Sequence, residues 1–166
     1  LIKETTPGIV KRVNMGGAYG DSIYHPQLLD YIKYLTDVNI GWNMDTNASY
    51  VNDAEKWHSI GKLATENGAI CTLNFSVDGT PDNFTQYRVN GQWSSIEEGM
   101  KILGQYPRLQ AKWKYIVFRY NSGIEDMKTA YKLACDFKLK EFVLVHTTRG
   151  KPGQCRQRAG EPGDEH

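Results

Sequence analysis

Five short runs of β-type residues recur along the chain, at positions 9–15, 39–44, 70–77, 113–119 and 141–146. Between them the apolar positions take helical spacing. Leu28, Leu29, Ile32 and Leu35 define a helix over 26–37, with Pro26 at the first helical position. Trp57, Ile60, Leu63 and Ala64 define a second over 53–66, with Asn52 as its N-cap. Ile96, Met100 and Leu103 mark a third over 94–104, and Met127, Tyr131, Leu133 and Ala134 a fourth over 124–137.

Strand starts follow one another by about 30 residues, with one longer step, which is the length of one β-α unit. The order is βαβαβαβαβ. Strands separated by helices run parallel, because each crossover returns the chain to the same end of the sheet. The expected fold is therefore α/β, with five parallel strands and four intervening helices. Ligands of such sheets bind at the C-terminal edge of the strands, on the turns leading into helices.

That edge collects Gly20 and Asp21 after the first strand, and Asp45, Thr46, Asn47, Ala48 and Ser49 after the second. It also collects Ser76, Asp78 and Gly79 at the third, Arg119 and Asn121 at the fourth, and His146, Thr147, Thr148 and Arg149 at the last. A carboxylate, hydroxyls, amides and main-chain donors on one rim suit a zwitterionic or sugar-containing ligand. Each also has a plain local reading. Asp21 can cap the helix near Pro26, Asp78-Gly79 is a turn signal, and His25 before a proline is a local cap or packing residue. The four tryptophans, Trp42, Trp57, Trp93 and Trp113, are assigned to packing.

Composition narrows the class. At 166 residues, 40% hydrophobic and 23% charged, the chain suits one domain with one buried core. Twenty basic and 19 acidic residues leave a net charge of +1, so charge does not point to a nucleic acid or a membrane surface. Cys71, Cys135 and Cys155 lie far apart, as cytosolic thiols do, and no apolar stretch reaches the ~20 residues of a membrane span. Residues 1–150 form the expected domain. The Gly, Pro and charge-rich tail over 151–166 is expected to be disordered.

The stretch "YGDSIYHP", residues 19–26, resembles the Gly-Gly-Glu-Pro type motif of the radical S-adenosylmethionine superfamily, with Gly20 and Asp21 in place of the final Gly-Glu and Ser22 in place of proline. "MDTNAS" resembles that family's Asn-Thr-Asn-Gly segment, "NFSVDGTPDNFTQYR" its Ser-x-Asp-Gly strand with a downstream arginine, and "YIVFRYNSGIEDM" the strand and asparagine turn that follow. The resemblance runs from about Ile9 to Arg149. It implies a partial TIM-like (βα)6 barrel. It also implies S-adenosylmethionine as a cofactor, bound by Gly20, Asp21, Thr46, Asn47, Ser76, Asp78, Arg88 and Asn121. Asp21 would hold the methionine ammonium, Ser76 the ribose or carboxylate, Arg88 would position the ligand, and Asn121 would lie near the adenosine.

The family's 4Fe–4S cluster is held by a Cys-x3-Cys-x2-Cys loop after the first barrel strand, and this sequence has no such loop. The chain also starts with Leu1, and the apolar strand at 9–15 lacks a neighbour on one side. The expectation is a radical S-adenosylmethionine enzyme truncated at its N-terminus and inactive alone. Its parent would use the cluster, with an electron donor, to cleave S-adenosylmethionine to a 5′-deoxyadenosyl radical that abstracts hydrogen from a peptide or small precursor. The alternatives are a cluster-free barrel acting as a binding or interaction module, and a parallel-barrel enzyme that binds phosphate at the glycine-rich turn. A carboxylate at Asp21 would repel a phosphate.

Overall fold

The computed structural model describes residues 9–16, 20–49 and 51–146. The expected tail over 151–166, Cys155 and the rim residues Thr147, Thr148 and Arg149 lie outside the described residues.

Five strands, β1 (Arg12–Met15), β2 (Gly41–Thr46), β3 (Thr72–Ser76), β4 (Gln110–Val117) and β5 (Glu141–His146), form one sheet in the order β1-β2-β3-β4-β5. Every pairing is parallel. The crossovers are α1 (Leu28–Asp37), α2 (Ala54–Glu66), α3 (Trp93–Leu103) and α4 (Ile124–Asp136).

Trp42 and Met44 of β2, Leu73 and Phe75 of β3, and Ala111, Trp113 and Tyr115 of β4 are buried at alternate positions, and together with Trp57, Ile60, Ile96 and Met100 of the helices they make the core. Helix α1 packs on α2 and α2 on α3. Phe142, level with Trp113 across the β4–β5 pairing, meets both Trp113 and Tyr131 of α4, so the fourth helix shares that side. Consecutive strand order with helices on one face is the single winding of a barrel wall; a doubly wound sheet would reverse its order and cover both faces. The fold is a partial TIM-like barrel.

Boundaries shift for identifiable reasons. Asp53, not Asn52, caps α2, its Oδ1 accepting from Lys56 N at 2.9 Å, while Asn52 Nδ2 donates to Gln92 Oε1. Pro26 sits in a turn closed by Leu28 N donating to the His25 carbonyl, so α1 starts two residues later than expected. Strand β4 starts three residues earlier, because polar Gln110 and Lys112 occupy strand positions on the face away from the helices.

Candidate functional site

Strand β1 ends at Met15, and Gly20 and Asp21 precede a 3-10 turn over Ser22–Tyr24. Asp21 caps that turn, its Oδ1 accepting from Ile23 N at 3.1 Å, rather than the helix near Pro26. Its Oδ2 accepts from the Thr46 hydroxyl at 2.9 Å and from Asn47 N at 2.8 Å. Thr46 Oγ1 in turn accepts from Ala48 N, and Asn47 Oδ1 accepts from Ser49 N and from the Tyr24 hydroxyl. One carboxylate thus ties the C-terminal end of β1 to that of β2. An ionised carboxyl has about four acceptor positions, so three donors leave Asp21 room for one cation.

Beside it lies a cavity of about 560 Å3, lined by Met15, Gly20, Asp21, Tyr24, His25 and Tyr31 among others. A Cβ added at Gly20 would meet no described atom within 4 Å, so no described neighbour requires glycine there. His25 Nδ1 accepts from Gln27 N, a local cap as expected for a His-Pro start.

A second group forms at the end of β3. Arg88 Nη2 donates to the Ser76 carbonyl at 3.2 Å and stands 3.8 Å from Asp78 Oδ2. Asp78 is buried, its Oδ1 accepting from Ile116 N and its carbonyl accepting from the Tyr120 hydroxyl. Among the described residues, neither Asp78 Oδ2 nor Arg88 Nε has a hydrogen-bond partner. Burial pushes the Asp78 carboxyl up from its ordinary value, against the Ile116 N–H and the charges of Arg88 and Lys114, which pull it down.

Asn121 is buried in the turn after β4, with Oδ1 accepting from Phe118 N at 2.6 Å and Nδ2 donating to the Ile116 carbonyl at 3.0 Å. Its carbonyl accepts from the Tyr115 hydroxyl, which burial pushes up to about 12. Both ends of the Asn121 side chain are therefore occupied by the turn they hold in place.

Asp21, Thr46 and Asn47 are joined directly, as are Ser76, Arg88 and Asp78, and Ile116 links Asp78 to Asn121. Ser76 differs from Thr46 in direction. Thr46 is level with Phe75 and buried on the helix side, so Ser76, one residue further along, faces the opposite side of the sheet. The side chains of Asp21, Thr46 and Ser76 do not meet at one point.

On that opposite side the structure assembles a group that, apart from Asp45, lies outside the expected rim. Asn43 and Asp45 of β2, Asn74 of β3 and Lys112 and Lys114 of β4 alternate with the buried core positions. Asn74 Nδ2 donates to Asn43 Oδ1 at 3.0 Å and to Asp45 Oδ1 at 2.7 Å, and Lys114 Nζ lies 3.8 Å from Asp45 Oδ2. Parallel strands buried on both faces read as continuous apolar runs. The period-2 polar residues in β2, β3 and β4 were the available signal that this face is wet.

The described cysteines do not fit a 4Fe–4S site. Cys71 is buried just before β3, its thiol pushed up by burial, and Cys135 is exposed on α4. Among the described residues no group of three or more His, Cys, Asp or Glu side chains could hold a metal ion. No described helix is long and apolar enough to cross a membrane.

No protein-family model matches the sequence, and no curated protein matches it. Three crystal structures of Streptococcus suis SuiB are similar to this chain in fold. SuiB itself superposes with a TM-score of 0.64 at 9% identity over 89% of this chain. SuiB bound to S-adenosylmethionine gives 0.62 at 10% over 88%, and SuiB bound to the precursor peptide SuiA gives 0.61 at 10% over 81%. The chain spans between 28% and 32% of the SuiB chains. With consecutive parallel strands and helices on one face, the chain shares with SuiB the fold of a partial TIM-like barrel.

Proposed function

We propose that the chain is part of a radical S-adenosylmethionine enzyme and that it binds S-adenosylmethionine across the C-terminal ends of its strands. The observation that carries this reading is the Asp21 carboxylate, held by three donors beside the 560 Å3 cavity and able to accept a fourth. A methionine ammonium is a donor of the right charge, and the resulting hydrogen bond is charge-assisted. Thr46 and Asn47 orient that carboxylate. Ser76, Arg88 and Asp78 order the neighbouring strand end, where the ribose or carboxylate would lie, and Asn121 acts through the turn it braces rather than by direct contact.

When bound, S-adenosylmethionine supplies a 5′-deoxyadenosyl group for radical chemistry; the protein contributes orientation and exclusion of water. The reading calls for a 4Fe–4S cluster held by cysteines other than Cys71 and Cys135, and for an electron donor. A cytoplasmic enzyme acting on a peptide or small precursor follows from the same reading. The polar face formed by Asn43, Asp45, Asn74 and Lys114 would meet such a substrate, because a hydrogen-bonding sheet face with half-exposed charges stays solvated until a polar ligand covers it.

Calorimetric titration with S-adenosylmethionine and, separately, with phosphate tests the proposal. Binding of the former that is lost in Asp21→Asn supports it. Phosphate binding at the Asp21 turn, or S-adenosylmethionine affinity unchanged by Asp21→Asn, overturns it.

A further inference from the structure

The sheet has a second cavity, of about 530 Å3, at the opposite mouth, where the strands begin. Arg12, the first residue of β1, Arg108, in the turn before β4, and Lys112 of β4 line it together with Thr72 and Gln110, the first residues of β3 and β4. Three cations from separate segments share one concavity in a chain whose net charge is only +1. Of the three, only Lys112 has a carboxylate partner among the described residues. Lys112 pairs with Glu141 at 2.5 Å, and Arg108 Nη2 donates to the Asn67 carbonyl at 3.2 Å. The Arg12 side chain is exposed and has no hydrogen bond or ion pair among the described residues.

One plain explanation covers part of this. Helices antiparallel to the strands bring their C-terminal ends to this mouth, and a cation there is favoured by the helix dipole. Arg108 fits, since Asn67 is the C-cap of α2. Arg12 and Lys112 do not fit, because they sit on strands and point into the concave side.

We propose that this mouth binds a small ligand bearing an oxyanion, a phosphate or a carboxylate, gripped by the Arg12 and Arg108 guanidinium groups with Lys112, Thr72 and Gln110 as further donors. Guanidinium groups present paired N–H donors that match two oxygens of such an anion, and the cavity volume falls in the range of about 300–1,000 Å3 used by small-molecule sites. Lys112 keeps Glu141 as its counter-ion, so the two arginines provide the net attraction. The site lies at the far end of the strands from Asp21 and does not depend on the S-adenosylmethionine reading.

The test titrates the full chain with inorganic phosphate, and in a second arm with succinate, against chloride at constant ionic strength. Phosphate or succinate should raise Tm and shift the backbone amide resonances of Ala69, Ile70 and Gln110, the responding arm identifying which oxyanion the site takes. Arg12→Ala and Arg108→Gln should each weaken that binding by at least about tenfold, the loss of one charge-assisted contact. S-adenosylmethionine affinity should be unchanged in Arg12→Ala. No response beyond that of chloride in either arm, or unchanged anion affinity in Arg12→Ala, overturns the proposal. Arg12 is exposed, so that variant decides the matter even if Arg108→Gln does not fold.

Discussion

The Thr46 hydroxyl donates to Asp21 Oδ2 at 2.9 Å, and this bond joins the ends of two neighbouring parallel strands through residues 25 positions apart. Asn47 N and Ile23 N complete the set of donors around the same carboxylate. Asp21 is thus a structural tie, and in the proposed reading it is also the group that meets the ligand cation.

The two roles separate by substitution. Asp21→Ala leaves three donors without their acceptor and is expected to lower stability by about 2–3 kcal/mol in urea denaturation. Asp21→Asn keeps the shape and one carbonyl oxygen, so it should cost less than the alanine variant. It should nevertheless reduce S-adenosylmethionine affinity at least about tenfold, since a neutral amide does not attract an ammonium.

Asp78 makes stability depend on pH. Its folded carboxyl titrates above the unfolded value of about 3.9, so between those two values the folded state binds more protons. Its contribution therefore falls as pH rises from about 4 through the folded pKa, then stays level. Relative to wild type, Asp78→Asn should gain stability over that rise, because asparagine keeps an acceptor for Ile116 N without a buried charge. Urea denaturation of both proteins from pH 4 to 7 measures the difference; a constant difference would contradict the assignment.

The two faces of the sheet should respond differently to mutation. Phe75 is fully buried, and Phe75→Ala is expected to cost about 3–5 kcal/mol. Asp45 and Lys114 are 37% and 38% exposed, so Asp45→Asn should change stability by less than about 1 kcal/mol. Parallel denaturation curves would show the contrast.

Close approach of α2 and α3 depends on Gly99. A Cβ there would stand 2.7 Å from Trp57 Cε2, inside a buried indole contact. Gly99→Ala gains up to about 1 kcal/mol in helix propensity but must displace that ring, at about 1–3 kcal/mol. A net loss of Tm is expected.

Much of the architecture could be read in the chain because the signals were local. Period-3.6 apolar positions such as Trp57, Ile60 and Ala64 mark a helix whatever surrounds it, and alternating strands and helices leave parallel pairing as the outcome. The strand Glu141–His146 coincides with its expected bounds. Beginnings of elements were less legible. Asn52 and Asp53 are both good caps, and only the position of Gln92 and Ser95 from α3 decides that Asn52 bonds elsewhere. Gln110 and Lys112 read as loop residues until neighbouring strands place them on the concave side.

The sequence by itself determined the element types, their order and the end of the sheet at which Gly20, Asp21, Thr46, Asn47 and Ser76 gather, because periodicity and turn chemistry act between residues close in the chain. Only the tertiary structure decided which side chains meet. Asp21 joins Thr46 while Ser76 turns away, Asn121 is consumed by its own turn, and Asn43, Asp45, Asn74 and Lys114 form a polar face. Those relationships depend on strand register and on which face of the sheet the helices cover, and both are set by contacts between residues far apart in sequence.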